Sequence, residues 1–136
     1  MTDKNIGWLL ESLEETAGVE YAVLVAADGM SPAYTDRLPR ERAEKISAIA
    51  STLWGASWAY DRETNGGGVR QLVMESVDHI SLLIPAGDNT MLAVRTDSPH
   101  ADIGVISYAA LRLAASVGNQ LGVQNRIADV TEAPLA

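Results

Sequence analysis

Apolar positions along the chain change period several times, and each change marks a new element. Ile6, Leu9, Leu10, Leu13 and Ala17 recur at i, i+3, i+4, i+7 and i+11, one face of an amphipathic helix. Asp3 can cap its start, and Gly18 suits the left-handed residue beyond its end. Glu11, Glu14 and Glu15 fall off that face and are expected in solvent. Residues 20–27, Glu-Tyr-Ala-Val-Leu-Val-Ala-Ala, are apolar without alternation, as in an interior strand covered on both sides. Asp28-Gly29 is a hairpin signal, and the return strand, Met30 to about Thr35, contains Pro32. Proline donates no ladder hydrogen bond, so this strand belongs at a sheet edge.

A long helix is predicted over 40–63, with Pro39 suited to its opening turn. Ile46, Ile49, Ala50, Leu53, Ser57 and Tyr60 form an apolar stripe, read as the core side. Ser47, Ser51, Trp54, Gly55 and Trp58 form a second stripe displaced around the axis. Trp54 and Trp58 share one face at i, i+4. Core, pocket wall and protein–protein interface are all open to them, and the separate core stripe favours the interface, where Trp is a common anchor. Asn65-Gly-Gly-Gly68 breaks the helix. Three strands follow, Val69–Glu75, His79–Ile84 and Thr90–Thr96, joined by short turns into a meander.

Ser98-Pro99 opens a last helix, about 100–122, with Ile106, Ala109, Ala110, Leu113, Val117 and Leu121 on its apolar face. Periodicity weakens after Gly122 and Pro134 follows, so 1–122 reads as one domain and 123–136 as a loosely ordered tail. The order α-β-β-α-β-β-β-α predicts an α+β fold, a five-stranded antiparallel sheet with three helices. Such a sheet has two edges. Pro32 guards one, while the strand near 69–75 has no proline and directly follows the two-faced helix.

Composition narrows the chemistry. The 136 residues carry a formal net charge of −8, which disfavours nucleic acid and anionic lipid as partners. Absence of Cys excludes disulfides and zinc–thiolate sites. No apolar run reaches the ~20 residues of a membrane span, and carboxylates come too early at the N-terminus for a secretory signal. The expectation is a cytoplasmic protein without direct membrane insertion.

Candidate catalytic groups are few. The glycines at 66–68 run from helix to strand and lack the Lys-Ser/Thr of a phosphate loop, so they read as a turn. His79 and His100 have no metal-ligand spacing, and no G-x-S-x-G elbow is present, although a triad assembled in space leaves no spacing to test. Asp28 serves turn geometry. Arg40, Arg42 and Arg62 can reach a partner's phosphates or simply be solvated at helix ends.

Six segments, taken in order, carry a resemblance: Trp8-Leu-Leu-Glu-Ser-Leu13, Val23-Leu-Val-Ala-Ala-Asp-Gly29, Leu38-Pro-Arg-Glu-Arg-Ala-Glu44, Ile46–Leu53, Gly66-Gly-Gly-Val-Arg-Gln71 and Ala101-Asp-Ile-Gly-Val105. From about residue 5 to 122 the chain resembles the Roadblock/LC7 family. More narrowly, it resembles small actinobacterial members encoded beside a Ras-like GTPase and a histidine-kinase-like sensor. The resemblance implies a non-enzymatic protein without cofactor. It implies dimerisation through the long helix and following strand across a two-fold axis, and service as a platform for small GTPases. Carried onto this chain, the dimer interface would comprise Ser47, Ser51, Trp54, Gly55 and Trp58 with Val69, Gln71 and Val73. The GTPase-facing surface would comprise Arg42, Lys45, Ala48, Thr52 and Ala59. Any membrane recruitment would run through the partners. The alternative from another class is a small-molecule-sensing module, which needs a sizeable apolar pocket.

Overall fold

Helix α1 (Asp3–Glu14) is followed by strands β1 (Val19–Ala26) and β2 (Ala33–Tyr34), helix α2 (Arg40–Glu63), strands β3 (Leu72–Glu75), β4 (Ile80–Pro85) and β5 (Thr90–Thr96), and helix α3 (Ile103–Glu132). The computed structural model describes residues 3–26, 28–30 and 33–132. Pro32 and Pro134 lie outside the described residues, as do the side chains of Ile6, Leu9 and Leu121. The strands form one antiparallel sheet in the order β2-β1-β5-β4-β3. This is the predicted α+β architecture, with β2 and β3 at the two edges as expected.

The unalternating sequence of β1 is explained by two cores, one on each sheet face. Ala22 and Leu24 point, with Leu82, Ile84, Leu92 and Val94, into a layer closed by Leu10 and Leu13 of α1 and by Ile106, Ala110, Leu113 and Val117 of α3. Val23 and Val25 point the other way, with Leu83, Met91 and Ala93, against Leu38 and the α2 residues Ala43 and Ala50. Buried hydroxyls close the strand ends. Thr35 Oγ1 accepts from the Ala22 N–H at 3.2 Å. Thr96 Oγ1 accepts from the Ile80 N–H at 2.9 Å and donates to the Ser98 carbonyl at 2.7 Å. Both buried threonine hydroxyls thus keep a partner, which avoids a penalty of about 1–3 kcal/mol each.

Several boundaries differ from the sequence expectation. Helix α1 ends at Glu14, leaving Ala17 exposed beyond it. Glu14 is not solvated: its side chain is 14% exposed and lies 3.6 Å from Arg37 Nε. Helix α3 starts at Ile103 because Asp102 Oδ1 accepts the Val105 N–H at 3.2 Å, an N-cap that Ser98-Pro99 does not provide. It also continues past Gly122 to Glu132. One interior glycine costs about 1 kcal/mol and does not by itself stop a helix, and no proline intervenes before Pro134. Among the described residues no helix is long and apolar enough to cross a membrane.

Gly118 of α3 packs on Gly87, the φ +94° residue of the β4–β5 turn. A Cβ at Gly118 would stand 3.1 Å from Gly87 N and 3.3 Å from its Cα, so backbone would have to move. At an open helix position Gly→Ala gains up to about 1 kcal/mol. Here Gly118→Ala is expected to reverse that sign and cost about 1–3 kcal/mol, measured as a lower urea midpoint at unchanged slope.

Candidate interaction surface

Helix α2 meets the sheet along Ala43, Ser47 and Ala50, all buried, with Trp54 half-buried on the same line. Small side chains let the helix backbone approach the strands. Ser47 is fully buried, and its hydroxyl is satisfied within the helix by donating to the Ala43 carbonyl at 2.7 Å. The two stripes expected from sequence are therefore exchanged in part. Ser47, assigned to the dimer interface, is inside the monomer core and cannot reach a partner. Trp54 packs on the core between α2 and the sheet, and Trp58 meets it edge-on, centroids 5.9 Å apart. A side chain at Gly68 would meet the Trp58 ring. Ser51 is half-buried, and Gly55 is exposed with open space around it.

Two members of the supposed core stripe are on the surface instead, Ile49 at 63% and Tyr60 at 73% exposure. Ile46 and Leu53 are half-buried on the same flank. The physical reason is the helix-to-sheet distance. Small residues suit close packing along the central line, while the aliphatic row is turned toward the β3 side. Sequence reasoning saw this row but took apolarity as burial, so Ile49, Leu53, Tyr60 and their neighbour Met74 were missed as surface candidates.

Below that flank the sheet is uncovered. Met74, Ser81, Arg95 and Tyr21 are cross-strand neighbours on β3, β4, β5 and β1. They and Leu72 border a cavity of about 150 Å³ whose other wall is Ile46, Ile49 and Leu53. Its strand end is polar. The Arg95 guanidinium lies 5.7 Å from the Tyr21 ring centre, and its Nε is 3.3 Å from Glu20 Oε2. His79 Nδ1 is 3.6 Å from the same oxygen and 2.9 Å from the Thr96 carbonyl. Val73 and Met74, on opposite faces of edge strand β3, are 44% and 45% exposed. Gln71 precedes the strand and accepts the Ser107 hydroxyl of α3 at 3.0 Å, while Val69 is half-buried outside it. Together, the α2 flank and the β3 edge make one apolar strip beside an unpaired strand.

The residues assigned to a GTPase do not share one line. Lys45, Thr52 and Ala59, spaced by seven, run along the outward face and are exposed. Ala48 is exposed beside the hairpin glycine Gly29. Arg42 is exposed on the Ile49 flank, seven residues before it. Among the described residues no group of three His, Asp or Glu side chains could hold a metal ion.

The glycine run is a tied turn. Gly66 N–H donates to the Asp61 carbonyl at 2.9 Å, and Gly68 N–H, at φ +123°, donates to Asp61 Oδ2 at 2.8 Å. This holds the chain out of the sheet until Leu72, so β3 is shorter than the predicted 69–75. Asp61→Ala is expected to speed hydrogen exchange at the Gly68 amide and cost about 0.5–1.5 kcal/mol, whereas Asp61→Asn, which keeps an acceptor oxygen, should cost less. Amide exchange across the series checks this.

Comparison with known proteins agrees with this architecture. The family model for the Roadblock/LC7 domain matches residues 6–96. An uncharacterised protein of Methanocaldococcus jannaschii is 30% identical over 118 residues, 86% of this chain and 97% of that one. The crystal structure of a Roadblock/LC7 domain from Streptomyces avermitilis superposes with a TM-score of 0.79 at 30% identity, covering 85% of this chain and 96% of the other. MglB, solved in a tetrameric arrangement, shares the fold with a TM-score of 0.77 at 16% identity, covering 86% and 88%. With the meander, the tied glycine turn and the open β3 edge in place, the chain belongs to the Roadblock/LC7 domain family.

Proposed function

We propose that this protein is a non-catalytic homodimeric regulator or scaffold for a small Ras-like GTPase. The observation that carries the reading is the apolar strip along the α2 flank, next to the unpaired edge of β3. An edge strand left bare invites pairing with another chain, and large exposed apolar side chains mark contact surfaces. A second copy fits both needs at once, because strand would extend sheet while helix covers helix about one two-fold axis. MglB, of the same fold, in its tetrameric arrangement is consistent with self-association in this architecture. The GTPase, and a histidine-kinase-like sensor as further partner, rest on the family resemblance. The outward line Lys45, Thr52 and Ala59 would stay free in such a dimer and is the surface offered to the GTPase. The small-molecule alternative is less well supported: the apolar cavity under the α2 flank holds about 150 Å³, below the ~300–1,000 Å³ usual for ligand pockets, and the larger cleft of about 660 Å³ beside the glycine turn is an open groove with Asp61, Thr64, Arg70 and Gln71 in its wall rather than an apolar pocket.

Sedimentation at micromolar concentration is expected to give a dimer burying roughly 800 Å² per partner, and a 14.5 kDa species would refute it. Met74→Glu sets a carboxylate in the strip twice and should produce monomers with little change in thermal midpoint. Gly55→Leu, on the flank of α2 turned away from the strip, should leave the dimer intact, whereas an interface through Ser51, Gly55 and Trp58 would be disrupted by it.

The GTPase contact is tested separately. Pull-down from native extract with and without GTP should retain a small GTPase. Lys45→Glu with Ala59→Arg should abolish retention while sedimentation stays dimeric. Retention unchanged by the double variant would place the contact elsewhere.

A further inference from the structure

The turn after α2 contains the dipeptide Asn65-Gly66, and the fold accounts for both residues. Helix α2 ends in a paired cap. The Asn65 N–H donates to the Arg62 carbonyl at 3.3 Å, and the Gly66 N–H donates to the Asp61 carbonyl at 2.9 Å. This arrangement puts the residue beyond the helix in the left-handed region, where Gly is usual and Asn is tolerated. Asn65 accordingly has φ +57°. Gly66 is set by the Asp61 side chain. Asp61 Oδ2 accepts the Gly68 N–H at 2.8 Å, and a Cβ on Gly66 would collide with Oδ1 of the same carboxylate. The cap thus joins an exposed side-chain amide to a following residue with no side chain to shield its backbone nitrogen.

That pair can react with itself, and Asn is among the thermolabile residues. The Gly66 nitrogen, once it gives its proton to solvent, attacks Asn65 Cγ, and a cyclic imide closes as ammonia leaves. Water then opens the imide at either carbonyl, yielding aspartate or isoaspartate. A C–N bond forms while another breaks, water is added, and nothing is oxidised or reduced. While the cap holds, the Gly66 N–H is bound to the Asp61 carbonyl and its nitrogen cannot attack. Helix ends open locally at far lower free energy than the whole fold. We propose that Asn65 is a self-modification site guarded by Asp61, deamidating through the Gly66 nitrogen when the end of α2 opens. The product changes the same turn. A carboxylate at 65 adds charge near Asp61 and Glu63 at the negative end of the helix dipole. Isoaspartate also lengthens the main chain by a methylene, so the cap cannot re-form with its spacing and the approach to β3 loosens. The inference depends on neither the dimer nor a GTPase.

Trypsin isolates the site, because residues 63–70, between Arg62 and Arg70, contain no other Asn and no Gln. The full chain is incubated in mildly alkaline buffer, and this peptide is followed by mass and by enzymatic methylation of isoaspartate. It is expected to gain one mass unit, with isoaspartate present, more slowly in the native chain than in urea. Asp61→Ala should speed the native reaction about two- to ten-fold, since the closed state loses one hydrogen bond, and should leave the rate in urea unchanged. Asp61→Asn, which keeps an acceptor for Gly68, should fall between wild type and Asp61→Ala. Asn89, also at φ +57° but followed by Thr90, is the internal control and should stay intact. The isoaspartate form, separated by its added charge, should exchange its Gly68 amide faster than the unmodified chain. Equal rates in native and unfolded chains, or a native rate indifferent to Asp61→Ala, would overturn the guard. Aspartate without isoaspartate, or Asn89 reacting as fast as Asn65, would overturn attack by Gly66. Unchanged exchange at Gly68 in the isoaspartate form would refute the loosening of the turn.

Discussion

What α2 leaves at the surface depends on how closely the helix lies on the sheet. Ala43, Ser47 and Ala50 form its central line, and none is large enough to hold helix and strands apart. At that distance the helix packs chiefly against β1. Its aliphatic flank cannot turn under as well, so it stands over the open end of β3, β4 and β5. Ser47 makes the close approach tolerable because its hydroxyl bonds back to Ala43 rather than demanding a partner from the strands. A larger side chain on that line would lift the helix and widen the gap beneath it.

The same economy shapes the connections. Asp61 uses its carbonyl and its carboxylate to hold Gly66 and Gly68, and so fixes where β3 can begin. Thr96 joins the start of β4 to the loop before α3 through one hydroxyl. Gly87 and Gly118 permit the β4–β5 turn to touch α3 backbone to backbone. Asp61 and Thr96 stand at element ends, where hydrogen bonds would otherwise be lost, and Asp61 holds the approach to the edge strand in a fixed relation to the end of α2. That relation matters for recognition, since a partner must meet strand and helix together. A mobile β3 would have to be ordered on binding, at a cost of about 1–2 kcal/mol per residue in backbone entropy alone.

Burial of the strip offers a direct reason for association. Ile49, Tyr60, Val73 and Met74 all present substantial apolar surface outside the two cores. Covering a large aliphatic or aromatic side chain is worth about 1.5–3 kcal/mol, and a two-fold interface counts each one twice. The gain is offset by lost rotational and translational freedom, so the fit of the strip decides affinity more than its area does. The outward line of Lys45, Thr52 and Ala59 has no comparable apolar content, which separates a surface suited to self-association from one suited to a reversible partner.

The order of elements and the antiparallel meander were legible in the sequence because they depend on local signals. Asp28-Gly29, the glycines at 66–68 and the unalternating strands each have one economical structural meaning. The limits of α2, residues 40–63, followed from Pro39 and the glycine break. The two edges were legible too, from strand composition and chain order. Which stripe of α2 faces inward was decided only by tertiary structure. Apolarity ranked Ile49 and Tyr60 above Ser47, but packing distance ranked them the other way, and no one-dimensional pattern contains that distance. The same holds for Glu14, whose burial beside Arg37 depends on a residue 23 positions away, and for the α3 start, where Asp102 prevailed over Ser98. Local sequence determined where helices and strands form; the clearance between helix and sheet decided which of their faces remained outside.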